Sequence, residues 1–135
     1  MSGGESPAAV KGLPYSDVIR QRWRHPEFHG RLPQANVAAE DVNPLCGDRV
    51  RMELRVEDDA ILAARFSGDS CAICTASADV LSELVTGKSV REATALDTSD
   101  VLEILNADVR PTRLSCVRLP LGVMRTALRD GGRTS

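Results

Sequence analysis

Aromatic residues are scarce in this chain: one Trp, one Tyr and two Phe, 3% in all. That excludes a base-stacking surface of the kind that grips single-stranded nucleic acid. Lysine is nearly absent too. Of 17 basic residues only Lys11 and Lys88 are lysines, and the other 15 are arginines. The formal net charge of −2 lacks the basic excess a nucleic-acid partner demands. The longest uninterrupted apolar run, Ala60 to Ala64, is far too short to span a membrane. Met1 to Gly12 is small and polar, without the charged start and apolar middle of a secretion signal. These absences predict a cytoplasmic protein with neither nucleic acid nor membrane as a partner. No repeat and no low-complexity tract is visible.

What is present fits one soluble domain. A chain of 135 residues, 42% apolar and 27% charged, is long enough to close a hydrophobic core of its own. The expected boundaries are a flexible tail over 1–13, one domain over 14–130, and a second tail over 131–135.

Helix is expected from Pro14 to Arg24, with Tyr15, Val18, Ile19 and Trp23 as a partial apolar stripe. Pro26 stops it. A loop holding Gly30 and Pro33 follows, with His25 and His29 read as surface histidines at the helix end. Gln34 to Asp41 is a weakly patterned strand. Arg49 to Glu57 is clearer: Val50, Met52, Leu54 and Val56 alternate with charged residues, the period of a strand with one buried face. Asp58-Asp59 turns the chain, and Ala60 to Phe66 returns with Leu62, Ala64 and Phe66 expected on the buried side. A helix from about Cys71 to Thr86 is capped by Gly87. Ser89 and Glu92 form a capping box for a short helix to about Leu96. Another helix starts at Thr98, and Thr112 to Asp130 is helical with a break expected at Pro120. Strands grouped before helices predict an α+β fold, a three-stranded antiparallel sheet with helices on one face.

Chemistry concentrates at element boundaries. Asn43-Pro44-Leu45-Cys46-Gly47-Asp48 sets a soft thiolate ligand two positions from a hard carboxylate, with Gly47 free to turn both toward one point. Cys71 sits at a helix start, where free N–H groups and the helix dipole favour a thiolate. Cys116 follows Arg113 and precedes Arg118. These residues either gather around a metal or serve as small buried hydrophobes, and spacing leaves both readings open. Cys71-Ala72-Ile73-Cys74 is a C-x-x-C. With no second C-x-x-C and no C-x-x-H, a zinc ribbon is unsupported. Cys74 reads as a buried filler rather than a ligand.

Three motifs in order then resemble one family. They are Asn43 to Asp48; Gly68-Asp69-Ser70-Cys71-Ala72-Ile73 running on to Ala76-Ser77-Ala78 and Gly87-Lys88; and Arg113-Leu114-Ser115-Cys116. Together with the first helix and its loop, they are similar to the IscU/SufU family of iron–sulfur cluster assembly scaffolds, also seen as the N-terminal domain of NifU. The resemblance covers roughly residues 14 to 130. It implies a site of Cys46, Asp48, Cys71 and Cys116 that holds a transient [2Fe–2S] cluster or a zinc ion. It implies that persulfide sulfur comes from a cysteine desulfurase of the SufS/IscS type, with Cys46 as acceptor. Cluster or sulfur would pass on to client apoproteins or downstream carriers.

The chain departs from that pattern in places. The IscU branch has a histidine where Ser115 stands. The SufU branch has an arginine before the third cysteine, which Arg113 matches and which makes Arg113 the expected partner-binding residue. The SufU insertion between the second and third cysteines is absent. Ser70 replaces a usual glycine, and Cys74 a usual Ala or Ser. The chain is thus SufU-like at the site and IscU-like in length, and is expected to be a scaffold rather than an enzyme. The alternatives are a structural zinc protein, or a thiol oxidoreductase using Cys71 and Cys74.

Overall fold

The computed structural model describes residues 16–45 and 47–134, with side chains to residue 129. The expected tail over 1–13, Tyr15 and Cys46 lie outside the described residues. Helix α1 is Asp17–Arg24, and the strands are β1 (Val37–Asn43), β2 (Asp48–Glu57) and β3 (Ala60–Ser67). Then come α2 (Ala72–Val85), α3 (Val90–Thr94), α4 (Thr98–Leu105), a 3-10 turn (Pro111–Arg113) and α5 (Leu114–Thr134). The strands form one antiparallel sheet in the order β1-β2-β3. Helix α5 packs against β1 and β2, and α2 against β3. The α+β architecture is the one the sequence predicts.

Alternation in β2 survives folding. Val50, Met52 and Leu54 are buried against the helices, as are Ala64 and Phe66 of β3. Asp58 and Asp59 both adopt the left-handed conformation that a two-residue hairpin turn needs. One expectation fails here. Leu62 is 52% exposed, and Ile61 is buried in its place. The cause is a bulge: Arg55 pairs with Ala63 but Val56 pairs with Ile61, so Leu62 is an extra residue and the facing of the strand flips.

Helix α2 is the centre of the molecule. Ile73, Cys74, Ala76, Ser77, Ala78 and Leu81 are all fully buried, because α1, α4, α5 and β3 surround it. Small residues let those elements come close. Asp79 is buried on the same helix and accepts from the Phe28 N–H at 2.8 Å and Arg22 Nη1 at 2.9 Å. That carboxylate ties α1 and the following loop to α2. The loop then runs beside β3, where Phe66 N–H donates to Phe28 O and Gly30 N–H to Phe66 O. It goes on to Leu32, whose N–H donates to the buried Glu53 of the central strand at 2.7 Å. Burial raises the Glu53 pKa, but the Leu32 N–H, Arg51 and Arg31 outweigh it and hold the carboxyl below its usual value.

The capping boxes of α3 (Ser89 with Glu92) and α4 (Asp97 with Asp100) are both formed. Pro120 does not break the last helix, which continues through it from Leu114. A proline here removes one helical N–H and crowds the carbonyl four residues back, and burial of Val117, Leu121, Met124 and Leu128 along one stripe outweighs that cost. The helical backbone extends to Thr134, past the point where a tail was expected. Among the described residues, no helix is long and apolar enough to cross a membrane.

Candidate metal centre

Three of the four expected ligands meet at one end of the sheet. Asp48 is the first residue of β2, reached through Gly47 at φ +77°. Cys71 is the N-cap of α2, and Cys116 lies in the first turn of α5. A single tight approach places Cys71 beside Asp48. Gly68 adopts φ +123°, and a Cβ there would run into the Arg49 carbonyl. The Arg49 N–H also donates to Asp69 O at 2.8 Å. The turn leaving β3 is therefore pressed against the start of β2.

The resulting distances are short. Cys71 Sγ lies 3.5 Å from Cys116 Sγ, and Cys116 Sγ lies 3.6 Å from Asp48 Oδ2. One ligand atom from each of the three residues falls within 4.8 Å of the others. A tetrahedral zinc ion with Zn–S near 2.3 Å sets its ligands roughly 3.8 Å apart, so the donor set fits such an ion. Asp48 and Cys116 are buried and Cys71 is half-buried. Cys46, the fourth expected ligand, lies outside the described residues.

Arg113 sits at the end of the 3-10 turn with Nη2 3.5 Å from Cys71 Sγ. Hydrogen bonds to Cys116 and Cys71 raise its pKa and keep its charge in place. Burial pushes the Cys116 thiol up to about 12, while Arg113 pulls the other way. A cation bound beside both sulfurs would bring the thiolate back. Arg118 is exposed and takes no part in the cluster. His25 caps α1 through its backbone, and His29 packs edge-on against Phe66. Neither histidine joins a ligand group among the described residues.

Cys74 is fully buried and lies outside the ligand group. Its backbone N–H donates to Cys71 Sγ at 3.4 Å. Sequence reasoning missed the supports of this site. Ser70 Oγ bonds Thr75 Oγ1 at 2.8 Å and fixes the first turn of α2. Asp79 anchors the same helix about two turns further on. The one visible signal was a pair of acidic residues, Asp79 and Glu83, inside an otherwise uncharged helical run.

The model of the NifU-like N-terminal domain family matches residues 14–132. The chain belongs to that family. Among curated relatives, it is 25% identical to the zinc-dependent sulfurtransferase SufU of Bacillus subtilis, over 78% of this chain and 82% of that protein. It is 30% identical to the iron–sulfur cluster assembly scaffold protein IscU of Thermotoga maritima, over 88% and 95%. Among solved structures, it superposes with TM-score 0.75 and 27% identity on one described as a cluster assembly scaffold for the SUF system of Fervidobacterium islandicum. That match covers 86% of this chain and 97% of the other.

Proposed function

We propose that this family member is a metal-binding sulfur acceptor and scaffold for iron–sulfur cluster assembly. The observation that carries the reading is the convergence of Asp48, Cys71 and Cys116 from three separate elements, within 4.8 Å. Structural zinc sites are closed by Cys and His alone, whereas this set includes a carboxylate. Cys46 completes the set and is the thiol that first accepts sulfur. Its chain neighbours Leu45 and Gly47 are both exposed.

The site's residues divide the work. Cys71 and Cys116 supply thiolates, which suit zinc or the irons of a [2Fe–2S] cargo. Asp48 supplies a harder and more displaceable ligand. Arg113 donates to Cys71 Sγ and draws the Cys116 thiol down against burial. Sulfane sulfur arrives from a cysteine desulfurase, which performs the cofactor chemistry. The chain itself is then an acceptor rather than an enzyme, working in a reducing compartment such as the cytoplasm where free thiols persist. Cluster or sulfur leaves to client apoproteins or downstream carriers.

The test is elemental analysis of protein purified without chelator, beside sulfur uptake from a cysteine desulfurase. About one zinc per chain is expected, as four ligands make one site. Cys46→Ser, Cys71→Ser and Cys116→Ser should each lose most of it, and Cys74→Ala should keep it. Protein free of both zinc and iron, with no sulfur uptake, overturns the reading. A thiol oxidoreductase would instead keep its activity in chelator and lose it in Cys74→Ala.

A further inference from the structure

Asp48 faces the helix-covered side of the sheet, and the other side holds a groove that the metal centre does not use. Along β2, Asp48, Val50 and Met52 are buried toward the helices, while Arg49, Arg51 and Glu53 alternate with them on the opposite face. Glu53 lies five residues from Asp48, roughly 17 Å along the strand. The loop from Arg31 to Asn36 crosses this outer face and is pinned at both ends. The Leu32 N–H donates to Glu53 Oε1 at 2.7 Å. The Asn36 side chain exchanges two hydrogen bonds with the Val56 backbone, both of 2.8 Å. The loop and the sheet enclose a groove of about 360 Å³, a size that suits a small molecule.

The polar wall of the groove is a pair of arginines held by one carboxylate. Arg31 Nε and Arg51 Nε both donate to Glu53 Oε2, at 3.0 and 3.1 Å. Glu53 is 4% exposed, so its position is set by the fold, and it sets theirs. Both Nε atoms are thereby used, and the outer edges of the guanidinium groups are left over. Arg31 Nη1 and Nη2 have no partner among the described residues. Arg51 Nη1 has Glu40 at 3.9 Å, beyond hydrogen-bond reach. Glu40 is shared with Arg49, so three guanidinium groups face two carboxylates and one positive charge is unmatched. One arginine would neutralise Glu53, and the second puts a charge into a concave site without a counterpart. Pro33, Ala35 and Ala38 form the apolar wall.

We infer that this groove binds a small organic acid with one carboxylate and an apolar body. The carboxylate accepts from the outer Nη atoms of Arg31 and Arg51, a planar anion against planar forks. Its single negative charge matches the single charge left unmatched. The hydrocarbon body lies along Pro33, Ala35 and Ala38, where it leaves water. A dianion such as phosphate brings a second negative charge, which Glu53 and Glu40 oppose, and has nothing to offer the apolar wall. The pinned loop means that the site is formed before the ligand arrives, so little ordering is needed on binding.

The experiment titrates the full-length protein, as purified, with hexanoate. It follows by NMR the backbone amides of Leu32, Asn36 and Ala38 and the side-chain Nε signals of Arg31 and Arg51. Saturable shifts at this set are expected, with acetate about tenfold weaker for want of an apolar body. Uncharged hexanamide and inorganic phosphate should each bind at least about tenfold more weakly than hexanoate. Arg31→Gln and Arg51→Gln should each weaken hexanoate at least about tenfold. Arg118→Gln removes the same charge from the exposed face of α5 and should leave hexanoate binding unchanged. Any of four results overturns the inference: no saturable shift at the groove, equal binding of hexanoate and hexanamide, phosphate binding tighter than hexanoate, or Arg118→Gln weakening hexanoate as much as Arg31→Gln. The comparison of hexanoate with hexanamide uses wild type alone, so it decides the matter even where a variant fails to fold.

Discussion

The backbone N–H of Cys71 donates to Asp48 Oδ1 at 2.9 Å. One carboxylate therefore does two things: Oδ1 holds the loop that presents Cys71, and Oδ2 faces Cys116 Sγ. Asp48 is a support as well as a proposed ligand, and substitutions at this position separate the two roles.

Asp48→Cys replaces the displaceable corner with a fourth thiolate and closes the site like a structural one. Zinc release to a competing chelator should slow at least about tenfold, or roughly 1.4 kcal/mol in free energy. The same change removes the acceptor for the Cys71 N–H and should cost about 1 kcal/mol of metal-free stability. Asp48→Asn keeps an oxygen acceptor and serves as the control. Equal zinc release from Asp48→Cys and wild type would remove Asp48 from the ligand set.

Cys116 gives the metal-free protein a pH signature. Burial raises its thiol from 9.0 to about 12 in the fold. The folded state then holds a proton that the unfolded chain gives up first. Stability from this group is full below pH 9 and is lost as pH rises toward 12. Chemical denaturation of reduced, chelated protein should show falling stability across that window, and Cys116→Ala should flatten it. A slope unchanged in Cys116→Ala would show that the proton sits elsewhere, with the deeper thiol of Cys74 the next to vary.

Asp79 is the strongest stability prediction. Its carboxylate is fully buried and joined to Arg22, whose side chain is only 18% exposed, and to the Phe28 N–H. Asp79→Ala strands the Phe28 N–H and leaves Arg22 with Glu83 at 2.6 Å as its remaining carboxylate. A loss of about 2 kcal/mol in urea unfolding is expected. Asp79→Asn, which can still accept from Phe28, should lose less. Metal binding should persist under native conditions, since Asp79 lies about two helical turns along α2 from Cys71.

These sites differ in how far the sequence disclosed them. Asp48, Cys71 and Cys116 were legible because each stands at a break between elements, where glycine, serine and charge interrupt an apolar pattern. Asp79 and Glu53 were not, because their partners are distant: Phe28 lies 51 residues from Asp79, and Leu32 lies 21 from Glu53. Periodicity describes a residue's own element and carries no word of such partners. The strand from Arg49 to Glu57 was plain, yet the return strand was placed one residue out of phase. A bulge at Leu62 inserts one residue without disturbing local alternation on either side. Pro120 was read as a break because local chemistry says so, and the packed stripe of α5 outweighs it.

Arg113 carries the last prediction. The sequence pattern suggests a docking arginine, while the geometry points its Nη2 at Cys71 Sγ from 3.5 Å. The two roles predict different losses. A residue that only docks a desulfurase would leave the metal-free thiols untouched when removed. One that also balances thiolate charge would let the Cys116 thiol climb further, since Arg113 is the group that pulls it down. Arg113→Ala is expected to keep zinc and to extend the alkaline loss of stability, which still begins near pH 9, further up in pH. It should also weaken stimulation of a cysteine desulfurase about tenfold, the scale of one charge-assisted hydrogen bond. Arg113→Lys restores a point charge without the planar fork. It should return the pH profile toward wild type and leave desulfurase stimulation low, because docking on a carboxylate uses both prongs of the guanidinium. If Lys restores stimulation fully, Arg113 acts through charge at the thiols alone. If Ala leaves the pH profile unmoved, the contact with Cys71 has no electrostatic role and Arg113 serves the partner alone.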